Sequence, residues 1–125
     1  MSRFFSFLAF ALALGLAAPL QAGTLTSPVL FQGGAQNVCV AINVGTKPIE
    51  VTVEIVNFNG TDTTETCTLQ PNDVVNSCQT FANDQGFCRV TAAGGDGKLR
   101  KNVRAVMMNR STNSPFEIFT AVEAR

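Results

Sequence analysis

The chain has 125 residues, 9 Lys+Arg against 9 Asp+Glu, four cysteines, ten phenylalanines, and no His, Trp or Tyr. Without His there is no imidazole base and no His metal ligand, which removes most hydrolase and zinc-site readings. The balanced charge argues against a dedicated nucleic-acid binder, which is usually basic, and the length allows one domain.

Residues 1–22 read as a secretory signal peptide. Arg3 supplies the positive start, the run from Phe4 to Ala18 is apolar apart from Ser6, and Leu20-Gln21-Ala22 places a small side chain before Gly23. The apolar run is shorter than the ~20 residues that span a bilayer, and no cysteine follows it closely enough for a lipid anchor. The expectation is a cleaved leader over 1–22 and a single domain over 23–125, secreted or periplasmic, with no stable transmembrane segment after cleavage. That domain has 103 residues, 8 Lys+Arg against 9 Asp+Glu, six phenylalanines and all four cysteines. At this size about 65% of the unfolded surface is hidden on folding, so the core is modest and gains from cross-links.

Thirteen Val, thirteen Thr and four Ile against four Leu in 23–125 favour strands, because branched side chains suit a pleated surface and lose rotamer freedom in helices. Residues 24–31 offer an edge strand limited by Pro28. Residues 37–45 place Val38, Val40, Ile42 and Val44 on one face and Cys39 and Ala41 on the other, the pattern of a central strand. After Gly45-Thr46-Lys47-Pro48, residues 49–58 alternate Ile49, Val51, Val53 and Ile55 with Glu50, Thr52 and Glu54, which predicts one buried and one wet face. Asn59-Gly60 is a turn signal. Thr64–Leu69 and Val74–Phe81 flank Gln70-Pro71-Asn72-Asp73 and read as a hairpin. Asn83-Asp84-Gln85-Gly86 is a turn and Phe87–Ala92 a strand. Gly94-Gly95-Asp96-Gly97 is a further turn, followed by a strand over Leu99–Met108 with Val103, Ala105 and Met107 inward. Asn109–Pro115 is loop, and Phe116–Ala124 the last strand, with Phe116, Ile118 and Val122 on one face. The six phenylalanines are assigned mostly to the core. Seven or eight short strands at this spacing predict an all-β antiparallel sandwich. A transmembrane barrel is disfavoured by short strands and the missing Trp/Tyr girdle.

Four cysteines in a short exported chain predict two disulfides, with three possible connectivities. Cys67 and Cys78 sit on the two arms of the expected hairpin and are paired with each other, which leaves Cys39 with Cys88 across the fold. There is no C-x-x-C motif and no mixed zinc set, so neither redox catalysis nor a metal is expected.

Lys98, Arg100, Lys101 and Arg104 form a basic stretch. It suits contact with an anionic surface; the alternative is an outward strand face paired with Glu117, Glu123 or the glutamates of 50–54. Asp62, Asp73, Asp84 and Asp96 lie in turns without the ligand spacing of a calcium loop. Ser and Thr lack a His partner, and Glu50 and Glu54 share a wet strand face, where solvation is the simpler role than glycoside cleavage. Asn59-Gly60-Thr61 and Asn109-Arg110-Ser111 match the glycosylation sequon.

The run NVGTKPIEVTVEIVNFNG downstream of Cys39 resembles the second and third strands of bacterial immunoglobulin-like sandwich domains. With CTLQPNDVVNSC (Cys67–Cys78), the chain resembles small exported bacterial immunoglobulin-like proteins of unknown function. The resemblance implies a fold and an envelope address, and no catalytic residues. The expectation is therefore a non-enzymatic binding or structural envelope protein, without cofactor or nucleic-acid partner, acting on an unknown protein or envelope component. The alternatives are a fimbrial or adhesin-like assembly subunit that donates a strand from residues 24–31, or an inhibitor or enzyme of unidentified kind.

Overall fold

The computed structural model describes residues 22–30, 36–59, 62–73, 75–112 and 118–125. The expected leader lies outside them apart from Ala22. Eight strands and one helix follow in chain order: β1 (Ala22–Thr26), β2 (Gln36–Asn43), β3 (Ile49–Asn57), β4 (Thr63–Leu69), β5 (Cys78–Ala82), β6 (Gly86–Ala93), α1 (Gly95–Asn102), β7 (Val103–Arg110) and β8 (Ile118–Glu123). They form two antiparallel four-stranded sheets, β1-β6-β3-β4 and β5-β2-β7-β8. The sheets pack face to face as a sandwich around one apolar cluster.

The period-two pattern sets the faces. In β3, Ile49, Val51, Val53 and Ile55 are buried while Glu50 is exposed, and each such aliphatic side chain contributes about 1.5–3 kcal/mol by leaving water. β6 turns Cys88, Val90 and Ala92 inward, and β7 turns Val103, Ala105 and Met107 inward, as expected. β2 is central, between β5 and β7. Its core-facing residues are Cys39 and Ala41, flanked by buried Asn37 and Asn43. β1 is an edge strand that stops short of Pro28.

Four expectations are corrected. The stretch over Leu99–Met108 is not one strand: residues 95–102 are helical and the strand begins at Val103. Gly94 (φ 103°) and Gly95 (φ 83°) take the left-handed backbone that turns the chain into α1, a conformation open to glycine at little cost. Only Leu99 of the helix is buried, so no 3.6-residue apolar period exists to be read. Arg100 and Lys101 lie in its last turn, where cations complement the helix dipole. Second, β4 and β5 are not a hairpin. β4 pairs with β3, and β5 pairs with β2 in the other sheet. Residues 70–77 are a crossover, drawn over by the Asn72 amide donating to the Asn43 carbonyl (2.9 Å) and by the bridge between Pro71 and Asn43. Third, of the phenylalanines whose side chains are described, none enters the core: Phe58 is exposed and Phe81 and Phe87 are half-buried. The core is aliphatic, with Met107 and cystine sulfur. Fourth, Ile118 and Val122, expected on one face, differ in burial across a register shift at Asn109/Arg110: Ile118 is exposed, whereas Val122 packs on the core and Ala124 is buried.

Three ties hold the sheets together. Cys39–Cys88 joins the central strands β2 and β6, and Cys67–Cys78 joins the facing edge strands β4 and β5, with Cα separations of 5.4 and 5.7 Å. On the opposite side, Thr26 and Arg125 exchange two backbone hydrogen bonds of 3.1 Å, so the chain beyond β8 zips onto β1. Ser27 completes this corner: its Oγ accepts from the Cys88 amide (2.9 Å). In the constant-type immunoglobulin order the first strand neighbours the second; here β1 neighbours β6.

Candidate functional site

Three connections between the sheets emerge at one end of the sandwich: 44–48 from β2 to β3, 70–77 from β4 to β5, and α1 from β6 to β7. Asn43 is their hub. Its Nδ2 donates to the carbonyls of Lys47 (2.7 Å) and Leu69 (3.1 Å), and its Oδ1 accepts from the Gly45 amide (2.8 Å). The Val44 amide donates to the Asn102 carbonyl at the end of α1 (2.8 Å). An asparagine 1% exposed with three good bonds is a fixed strut, because a buried amide left unpaired would cost ~1–3 kcal/mol.

This end carries the basic stretch. Lys98, Arg100 and Lys101 project from α1 and Arg104 from the start of β7, and all four are exposed. Lys47 is exposed on the neighbouring connection. Two of the glutamates expected to neutralise the stretch pair with other cations. Glu54 pairs with Arg89 (2.7 Å) and Glu123 with Arg125 (3.5 Å). Among the described residues no carboxylate pairs with Lys98, Arg100, Lys101 or Arg104; Glu117 lies outside them. Arg104 instead donates to the carbonyls of Arg100 (2.6 Å) and Val103 (3.0 Å), capping the C-terminal end of α1.

A cleft flanks the helix on either side. One, of about 330 Å³, is lined by Leu25, Arg100, Val103, Arg104, Glu123, Ala124 and Arg125. The other, of about 150 Å³, is lined by Thr46, Lys47, Pro48, Ile49, Lys98 and Asn102. Both place cations on their walls, an arrangement that attracts anions and offers no nucleophile–base pair. Two apolar side chains of this end, both assigned to strands from the sequence, lie on connections and are exposed. Val75 is 86% exposed and Val44 41% exposed. Val75 was expected in a strand; the signal against it is that Val74-Val75 sits between Asn72-Asp73 and Asn76-Ser77, both turn-formers.

Three of the four turn aspartates hold backbone amides, and the fourth holds a side chain. Asp62 accepts from the Asn57 amide (3.1 Å), Asp96 from the Thr24 amide (2.8 Å), Asp84 from the Asn59 side chain, and Asp73 from the amides of Val75 (3.0 Å) and Asn76 (3.1 Å). The Asn76 side chain also donates to Asp73 (2.7 Å), and these bonds, the side-chain one first, hold the Asp73 carboxyl below its ordinary value. Among the described residues no three His, Cys, Asp or Glu side chains come together as a metal set. Of the two sequons, Asn109 is 4% exposed and spends its amide nitrogen on Asn37 Oδ1 (2.8 Å), which leaves it unfit as an acceptor; Asn59 is exposed.

Comparison with protein-family models, curated proteins and solved structures finds no match for this chain. The two disulfides fit an oxidising, extracytoplasmic setting. No described helix is long and apolar enough to cross a membrane.

Proposed function

We propose that the protein is a non-enzymatic, secreted or periplasmic β-sandwich that binds an anionic component of the cell envelope through its α1 end. The observation that carries this reading is the set Lys98, Arg100, Lys101 and Arg104, exposed together with no carboxylate partner among the described residues. Unpaired surface cations within one Debye length, ~8 Å at physiological salt, add their fields toward an incoming anion. The rigid sandwich holds them in place, and connections on such a scaffold commonly carry recognition. The Cys39–Cys88 bridge between central strands of opposite sheets supports an immunoglobulin-like reading of the sandwich. The test is retention of the oxidised protein on immobilised heparin, used as a generic polyanion, across a salt gradient. Wild type is retained at low salt, and the Lys98→Glu/Arg100→Glu/Lys101→Glu variant elutes in the void. Equal elution of the two proteins discards the reading.

A second reading is an assembly subunit. It is favoured by the placement of β1 at a sheet edge, hydrogen-bonded to β6 from Ala22↔Ala93 to Thr26↔Arg89. Exchange of β1 between copies would reuse that register. Sedimentation velocity over a wide concentration range decides it: a monomer at every concentration removes this reading.

A further inference from the structure

We infer that the α1 end docks on the surface of an anionic phospholipid bilayer, with Val75 and Val44 entering the headgroup layer and Lys47, Lys98, Arg100 and Lys101 lying among its phosphates. The inference rests on the electrostatic reading above and names its partner.

Single exposed apolar side chains are ordinary on protein surfaces, so exposure alone says nothing. What distinguishes Val75 is that the fold braces it outward. The Asp73 carboxylate binds the Val75 and Asn76 amides, Asn72 takes a left-handed backbone (φ 56°) with its amide on the Asn43 carbonyl, and the Cys67–Cys78 bridge closes the segment covalently. Val44, on the next connection, is tied to the last residue of α1 by its own amide.

These valines share their end of the sandwich with cations that have no carboxylate partner among the described residues. The other described cations are occupied: Arg89 with Glu54, Arg125, on the wall of the first cleft, with Glu123, and Arg110 over the Phe81 ring at 5.0 Å and against Gln36. Two of the acids at the α1 end are themselves spent on backbone amides, Asp73 and Asp96. The α1 end therefore joins free positive charge to outward apolar side chains. A soluble polyanion would satisfy only the charge and leave Val75 in water. An anionic bilayer surface satisfies both, since apolar groups partition below the headgroups and each nearby Lys or Arg strengthens binding about fivefold.

The chain has no Trp, so Val75→Trp introduces a unique indole at the proposed contact. With mixed phosphatidylglycerol–phosphatidylcholine vesicles its emission shifts to the blue, and with phosphatidylcholine alone it does not. Phe58→Trp, at the opposite end beside Gln85, does not shift with either. Val75→Ser co-sediments several-fold less with the anionic vesicles and keeps wild-type retention on heparin. No blue shift at residue 75, or vesicle binding indifferent to Val75→Ser, overturns the inference while the heparin result stands. A wild-type protein that binds neither heparin nor vesicles overturns both this inference and the reading beneath it.

Discussion

Removing the two disulfides one at a time gives unequal losses whose ratio is set by the fold. Cys39 and Cys88 are separated by 49 residues and Cys67 and Cys78 by 11. In the loop-entropy model those separations correspond to about 4 and about 3 kcal/mol of stabilisation at 25 °C. The surroundings widen the gap. Cys39 and Cys88 are both fully buried on central strands, whereas in the edge pair Cys78 is buried but Cys67 only partly so. Alanine at 39 and 88 therefore also leaves a void between the sheets, at about 24 cal/mol per Å³ of unfilled volume. We expect Cys67→Ala/Cys78→Ala to lose about 3 kcal/mol and Cys39→Ala/Cys88→Ala about 5. A small domain has 5–15 kcal/mol in all, so the first variant folds and the second sits at the threshold. Without Trp or Tyr, far-UV circular dichroism is the probe for urea unfolding. With a slope of ~1–3 kcal/mol/M, the edge variant's midpoint falls by roughly 1–3 M and the central variant lacks a folded baseline or nearly so. Equal losses, or a larger loss from the edge bridge, would refute the assignment of the central bridge as the main cross-link.

Asn109→Ala removes the donor to buried Asn37 Oδ1 and is expected to cost about 1–3 kcal/mol; a double-mutant cycle with Asn37→Ala by urea unfolding should show coupling above ~0.5 kcal/mol, and zero coupling would mean the contact contributes nothing. The Asp73 carboxyl is held below its ordinary value near 3.8 by the Asn76 side chain and amide. A depressed folded value means the bracing of 70–77 is complete above that ordinary value and is lost as pH falls through the lower folded one. Amide exchange at Val75 and Asn76 followed against pH reads this directly, and Asp73→Ala should accelerate it already at neutral pH.

The strand faces were legible because burial in a sheet alternates with period two, a local signal. Ile49–Ile55, Cys88–Ala92 and Val103–Met107 behave as that period requires. The disulfide partners were also reached from strand placement, although the hairpin that suggested Cys67 with Cys78 does not form; the two cysteines meet across the sandwich from facing edges. Helix α1 escaped because one buried residue, Leu99, makes no period. Phe58, Phe81 and Phe87 were misplaced for a related reason: hydrophobicity says which residues favour burial, but not which positions face the core, and those are filled by aliphatic side chains, Met107 and cystine sulfur.

What the sequence determines by itself is the strand alternation, an oxidising setting suggested by four cysteines in a short chain, and the absence of His. Only the tertiary structure decides that β4 and β5 belong to different sheets, that Thr26 meets Arg125, and that Lys47, α1 and Val75 share one end. The physical reason is that face alternation depends on neighbours along the chain, whereas sheet partners and the meeting of crossovers depend on contacts between distant segments, which no local period encodes.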